Sequence, residues 1–205
     1  MSVVVSYNRQ FLLALIFAFI LLLAIEGTLR TFEWIYPGCV MVDSESQQFV
    51  DIFKLRQMCL DVQQLNFQQF DGYKLYEPDQ HFSTVNINSE GFRGEEFFSQ
   101  KDNSTYRVFL IGGSTAFGSG ATSDDTTIPG SLQKQFEEIN PELNVEIINA
   151  GVPAANSNTE NKLIFDKIIG YDPDLLIFYD GWNDAWHRNL ILSEIDSSHT
   201  EKTIT

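Results

Sequence analysis

The chain is poor in cysteine. It has two cysteines, Cys39 and Cys59, among 205 residues, and it contains no C-x-x-C pair. A zinc or iron–sulfur site is therefore not expected. In an oxidising compartment the two could form a disulfide closing a loop of roughly twenty residues, which would contribute about 3 kcal/mol to stability. Two separate buried thiols are the alternative, and the sequence leaves both open.

Basic residues are also scarce. There are 13 Lys and Arg against 28 Asp and Glu, so the net charge is −15. The charges cancel up to Val40, and the acidic excess lies in the remainder. Such a surface repels phosphate backbones and anionic lipid headgroups, which disfavours nucleic-acid binding. The apolar fraction of 43% nevertheless predicts a packed core.

One long apolar run stands near the N-terminus. Residues 11–25 read FLLALIFAFILLLAI and cover only about 22 Å as a helix, but the uncharged residues 27–29 and the aromatic Trp34 and Tyr36 can extend it toward a ~30 Å hydrocarbon core. We expect residues 1–36 to be an uncleaved signal anchor. A cleaved signal peptide is the main alternative. Arg9 favours a cytoplasmic N-terminus and an extracytoplasmic soluble domain.

The remainder divides into a short connector and one α/β domain. Residues 37–84 are interpreted as a linker or small helical cap, with a turn at Asp71-Gly72. From residue 85 onward, apolar strands at 108–111, 145–148 and 175–179 alternate with helices. This alternation predicts a parallel sheet with right-handed crossovers. Ahead of it, Phe92 is expected beneath the sheet and Arg93 in an ion pair, with a substrate-facing arginine as the alternative.

A polar, glycine-containing loop follows each of the three strands. Ser114 follows the first strand, Gly151 lies after the second, and Asn183 follows the third. Parallel strands end at one edge of their sheet, where α/β proteins bind ligands. An ordinary turn or a phosphate loop could also explain the first loop, although no lysine follows its glycines. The coincidence of serine, glycine and asparagine at one edge favours a nucleophilic serine.

These three loops resemble the sequence blocks of the SGNH, or GDSL-like, hydrolase family. The matching stretches are GGST at residues 112–115, NAGVPAANS at 149–157 and GWND at 181–184, preceded by NSEGFRGEEF at 88–97. The resemblance implies a flavodoxin-like three-layer α/β/α fold. It also implies metal-free and cofactor-free ester hydrolysis, with Ser114 as nucleophile and with Gly151 and Asn183 as oxyanion donors. O-acylated carbohydrates or lipids are the implied substrates.

The fourth block of the family, D-x-x-H, is the point of departure. Asp196 and His199 have its spacing, but they follow the third strand too closely, and they form only a candidate base pair. His187 is expected at the rim of the site. We therefore expect an incomplete domain: a fragment, or a half-domain completed by another chain or in an oligomer. A catalytically inactive module that binds an acylated sugar or an anion is the alternative function, and a nucleotide-binding protein is a third.

Overall fold

A computed structural model describes residues 6–35 and 51–186 of the chain. The chain forms two compact units, Met1–Leu60 and Asp61–Thr205. The N-terminal unit carries the apolar helix, and the second unit carries the parallel sheet and the loops of interest.

The first helix, α1, spans Tyr7–Ile35, and none of its residues is buried. Its mean hydropathy reaches 2.6 over an 18-residue window, so α1 is long and apolar enough to cross a membrane. At 1.5 Å per residue it is about 44 Å long, which exceeds the predicted apolar run. Toward the end of the helix, the hydroxyls of Thr28 and Thr31 donate to carbonyls four residues back, and Arg30 pairs with Glu26 at 2.8 Å.

The second helix, α2, spans Ile52–Gln64. It begins after Asp51, whose carboxylate accepts the main-chain N–H groups of Phe53 and Lys54 at 2.9 and 3.0 Å. Such a contact satisfies free donors at a helix start. Cys59 takes part in a disulfide, whereas its predicted partner Cys39 lies outside the described residues.

Two short antiparallel pairs precede the main sheet. Strands β1 (Phe67–Phe70) and β2 (Tyr73–Tyr76) form a hairpin around the predicted Asp71-Gly72 turn. Strands β3 (Gln80–His81) and β4 (Asn86–Ile87) form the second pair. The linker or small cap expected at residues 37–84 thus contains strands that its mixed polar pattern did not predict.

The main sheet has three parallel strands in the order β6-β5-β7. They are β5 (Tyr106–Gly112), β6 (Val145–Gly151) and β7 (Leu175–Tyr179). Gly112 pairs in register with Gly151 on one side and with Tyr179 on the other. The predicted parallel sheet is confirmed, and its three strands end at a common edge.

Three helices connect these strands. They are α3 (Ser114–Phe117), α4 (Ile128–Ile139) and α5 (Ser157–Asp166). The hydroxyl of Thr127 accepts the N–H of Gly130 at the start of α4, and Asn156 forms a reciprocal capping box with Thr159 at the start of α5. Asn156 is the cap of α5, because the chain is still extended at that residue.

The core lies between β5, β6 and α5. Phe109, Ile111 and Ile148 of the sheet pack with Leu163 of the helix, and Phe92 packs beneath the sheet among them. This position of Phe92 is the predicted one.

Arg93 follows Phe92 and is also buried. Its guanidinium pairs with Asp124 at 2.7 Å and donates to the carbonyls of Thr84 and Gly118. The structure confirms the expected ion pair of Arg93 rather than the alternative of a substrate-facing arginine.

The two edges of the sheet are covered differently. The side chain of Gln133 on α4 bonds to the free edge of β6, accepting from the N–H of Ile147 at 2.8 Å and donating to the carbonyl of Val145 at 2.9 Å. Strand β7 has no further neighbour in the described part of the chain. Its Phe178 and Tyr179 side chains are 56% and 54% exposed.

Candidate functional site

A cavity of about 370 Å³ opens where β5 and β7 end. One wall is the turn into α3, and the other is the turn that follows β7. Its lining residues are Gly113, Ser114, Thr115, Tyr179, Asp180, Trp182 and Asn183. Two of the three predicted site residues, Ser114 and Asn183, therefore line one cavity.

Ser114 is the first residue of α3 and is exposed. Its carbonyl accepts the N–H groups of Gly118 and Ser119 at 3.0 and 2.9 Å, which fixes the backbone of the short helix. Its hydroxyl has no hydrogen-bond partner within residues 6–35 and 51–186. As the first helical residue, Ser114 also has no carbonyl four positions back in the helix to bind its N–H. Both groups can thus serve a ligand.

The side-chain amide of Asn183 lies against the turn that carries Ser114. Its Nδ2 donates to the carbonyl of Ala155 at 2.6 Å, and a carboxamide has a second N–H to offer. A Cβ atom added at Gly113 would lie 2.6 Å from this Nδ2. The absence of a side chain at Gly113 is therefore what allows the amide to come so close to the serine turn.

Gly151, the third predicted site residue, does not line this cavity. It ends β6, and its N–H donates to Oδ1 of Asn149 at 3.1 Å. A Cβ atom at Gly151 would lie 2.1 Å from the main-chain nitrogen of Phe117. In this structure the glycine thus lets α3 pack on β6, while its N–H is already bonded.

No histidine faces Ser114 in the part of the chain that the structure describes. His81 is the one histidine within it, and its Nδ1 lies 3.3 Å from Oδ1 of Asn86, outside the cavity lining. The predicted pair Asp196 and His199, together with the rim residue His187, lies outside the described residues. The base that would activate Ser114 stays a prediction.

Three carboxyl groups lie behind Asn183, and sequence reasoning assigned them no role. Asp180 directly follows β7, Asp184 lies in the helical residues 182–186 at the end of this turn, and Glu160 lies on α5. Asp184 accepts the N–H and the hydroxyl of Ser157, and the hydroxyl bond, 2.6 Å long, is the main reason that its pKa is lowered. Burial raises the pKa of Asp180, and burial together with the charge of Asp180 raises the pKa of Glu160 to about 7.

The sequence could have predicted the position of two of these three carboxyl groups. Asp184 directly follows Asn183 and Asp180 lies three positions before it, so their proximity to the site could have been expected from the strand end. Glu160 is twenty positions away from Asp180 on a helix, and only the packing of α5 brings it to this turn. The described residues contain no group of three His, Cys, Asp or Glu side chains arranged to hold a metal ion.

Comparisons with known proteins do not assign a family to this chain, so the function has to be argued from the geometry of the site. No protein-family model matches the chain, and no curated protein matches it with significance. What the structure itself shows is a mixed α/β protein with a parallel three-stranded sheet, a long apolar N-terminal helix, and a cavity shared by a serine and an asparagine.

Proposed function

We propose that this protein is a membrane-anchored serine ester hydrolase of the SGNH type, with Ser114 as its nucleophile. The observation that carries the proposal is the cavity at the ends of β5 and β7, which both Ser114 and Asn183 line. An exposed hydroxyl and a carboxamide donor around one small volume are two of the groups that acyl transfer needs.

In the proposed reaction, Oγ of Ser114 attacks the ester carbonyl and its proton passes to a general base. The N–H of Ser114 and the free N–H of Asn183 hold the oxygen that becomes negative. The alcohol then leaves with a proton, and water hydrolyses the acyl-enzyme. Gly151 can join as a donor only if its N–H leaves Asn149, so we assign the main stabilisation to Ser114 and Asn183.

The resemblance of the three loops to SGNH hydrolases also supports a proposal for the fold, the location and the substrate. The sheet would be part of a flavodoxin-like α/β/α domain, held outside the cytoplasm by α1. The exposed rings of Tyr179 and Trp182 at the cavity would contact an acyl chain or a sugar ring. O-acylated glycans or lipids are therefore the substrates to test first, with Asp196 and His199 as the candidate base pair.

A fluorophosphonate probe tests this proposal directly, because it reacts with activated serines. The detergent-solubilised chain should become labelled, and Ser114→Ala should abolish the label. Ser119→Ala is the matched control, since Ser119 is an exposed serine only five positions away, and it should label like the parent. No label on the parent chain, or a label that survives Ser114→Ala, would contradict the proposal.

A non-catalytic binding module is the second candidate. The observation that favours it is the lack of a histidine beside Ser114 among the described residues. Such a module would use the same cavity to hold an acylated sugar without turning it over. Saturable binding of an O-acetylated glycan by both the parent and Ser114→Ala, with no labelling of either, would select this candidate over the hydrolase.

A further inference from the structure

Three carboxyl groups, those of Glu160, Asp180 and Asp184, lie at the segment 180–184 that carries Asn183. Ser157, one helical turn before Glu160 on α5, donates its N–H and hydroxyl to Asp184, and Asp180 and Asp184 both act electrostatically on Glu160. Glu160 is only 3% exposed, and its Oε1 has no hydrogen-bond partner among the described residues. A buried carboxylate oxygen without a donor is costly to maintain, so this group calls for an explanation.

No cation in the described structure compensates Glu160. Tyr73 and Lys74 of β2 line a cavity of about 200 Å³ that Glu160 also lines. The ammonium of Lys74, however, lies 4.4 Å from the ring centre of Phe67, and none of the ion pairs among residues 6–35 and 51–186 joins Lys74 to Glu160. The charged groups that act on Glu160 are the two aspartates.

Ionised carboxylates accept hydrogen bonds but cannot donate them. Two carboxyl groups in contact therefore need a proton between them. Asp184 is the member that stays ionised, because the N–H and hydroxyl of Ser157 both donate to it. The shared proton consequently resides mainly on Glu160, because Glu160 is buried whereas Asp180 is exposed.

We propose that Glu160 is a positioning residue, whose proton, shared with Asp180, holds the turn 180–184 in place and thereby orients Asn183 toward the Ser114 cavity. Residues 182–186 are helical, and the contacts that tie this segment to the neighbouring loop and to α5 include the bonds of Asp184 to Ser157 and of Asn183 to Ala155. When the proton leaves, adjacent negative charges repel and the turn loosens.

This inference deepens the proposed function, because it concerns the turn that carries the oxyanion donor. It also predicts a pH-dependent change in the conformation of residues 180–184, which can be measured whether or not the protein is an enzyme. The raised pKa of Glu160, about 7, places the change close to neutral pH.

Trp182 offers a direct readout, since it lies inside the turn and is largely exposed. Trp34→Phe and Trp186→Phe leave it as the only tryptophan of the chain. In this variant, the emission of Trp182 should change between pH 6 and 8, whereas the addition of Glu160→Gln should abolish the transition. Glutamine can still donate to Asp180 but cannot ionise.

Glu142→Gln is the matched control, because Glu142 is an exposed glutamate outside the turn. It should leave the Trp182 transition unchanged. Asp180→Asn should move the transition to lower pH, because it removes the neighbouring charge, and it provides a second test should Glu160→Gln fail to fold by circular dichroism. A transition that persists in Glu160→Gln, or its absence from the parent, would overturn the inference.

The pH dependence of fluorophosphonate labelling supplies the catalytic readout. The labelling rate of Glu160→Gln relative to the parent should rise with pH between 6 and 8, since only the parent loses its turn. A constant ratio would contradict the positioning role. A Glu160-dependent transition of Trp182 in a chain that is not labelled at all would instead refute the hydrolase and leave the carboxyl cluster standing.

Discussion

The two ends of the parallel sheet use their polar groups in opposite ways. At the end where the strands begin, Arg107 is fully buried, and its guanidinium pairs with Glu146 at 2.8 Å. Two more of its nitrogens donate to the carbonyls of Tyr171 and Phe98 at 2.8 and 2.7 Å. The polar groups here are consumed in holding the strands together.

At the end where the strands stop, polar groups are left over. The Ser114 hydroxyl and Oε1 of Glu160 have no hydrogen-bond partners among the described residues. A buried arginine on a central strand can therefore be purely structural, while the opposite end of the same strands keeps hydrogen-bonding groups that are available to a ligand. Removing the Arg107 side chain should therefore mainly cost stability, whereas removing the Ser114 hydroxyl should mainly affect chemistry.

The largest expected loss of stability is at Arg107. Arg107→Leu removes these donors from the carboxylate of Glu146 and from the carbonyls of Tyr171 and Phe98, which should lower the free energy of unfolding by about 3–5 kcal/mol. Urea denaturation followed by circular dichroism measures it. Lys134→Leu is the control, because Lys134 pairs with Asp125 on the surface and should cost about 0–1 kcal/mol. Similar losses in the two variants would remove the contrast between the sheet ends.

The next largest effect is expected at Gly151. A methyl group there would overlap the backbone of Phe117, so Gly151→Ala should cost about 1–3 kcal/mol. Gly170→Ala is the control, since a Cβ atom at Gly170 meets nothing within 4 Å. Thermal unfolding compares the two. If Gly151→Ala is as stable as the parent, the packing of α3 on β6 is looser than described.

The pH dependence of stability tests the carboxyl cluster. The pKa of Glu160 is raised from 4.5 to about 7, so its contribution is complete below pH ~4.5 and is lost as the pH rises toward 7. Relative to Glu160→Gln, the parent should lose about 3 kcal/mol of unfolding free energy over this range. Urea titrations at a series of pH values measure the difference. Parallel curves for the two proteins would show that Glu160 ionises normally.

The smallest effect on stability is expected at Ser114. Its exposed hydroxyl has no partner in the described structure, so Ser114→Ala should change the free energy of unfolding by less than about 0.5 kcal/mol. Differential scanning calorimetry of the parent and of Ser114→Ala would detect a larger change in stability. A clear destabilisation would mean that the hydroxyl is a structural group after all, like those at the other end of the sheet.

The sequence could predict the elements that depend on contiguous apolar runs. Each strand of the main sheet is such a run, and the loop after it falls at the sheet edge by topology alone. The pairing of Arg107 with Glu146 could not be predicted, because it depends on register between strands. Glu160 was missed for a similar reason, since the packing of a helix brings it to Asp180.

Gly151 shows a further limit of motif reasoning. A glycine in a motif can be needed for its N–H or for its lack of a side chain, and sequence does not distinguish these uses. Here the N–H is bonded to Asn149 and the missing Cβ makes room for Phe117. The use of Asn183 is easier to assign, because Asn183 lines the Ser114 cavity.

The rate at which a fluorophosphonate labels Asn183→Ala tests the central claim most directly. If Asn183 and Ser114 act on the same oxygen atom, this rate should fall about 100-fold or more, with the adduct still on Ser114 by peptide mapping. Asn158→Ala, at an exposed asparagine on α5, should label at the parent rate. An unchanged labelling rate in Asn183→Ala would contradict a shared site of Ser114 and Asn183.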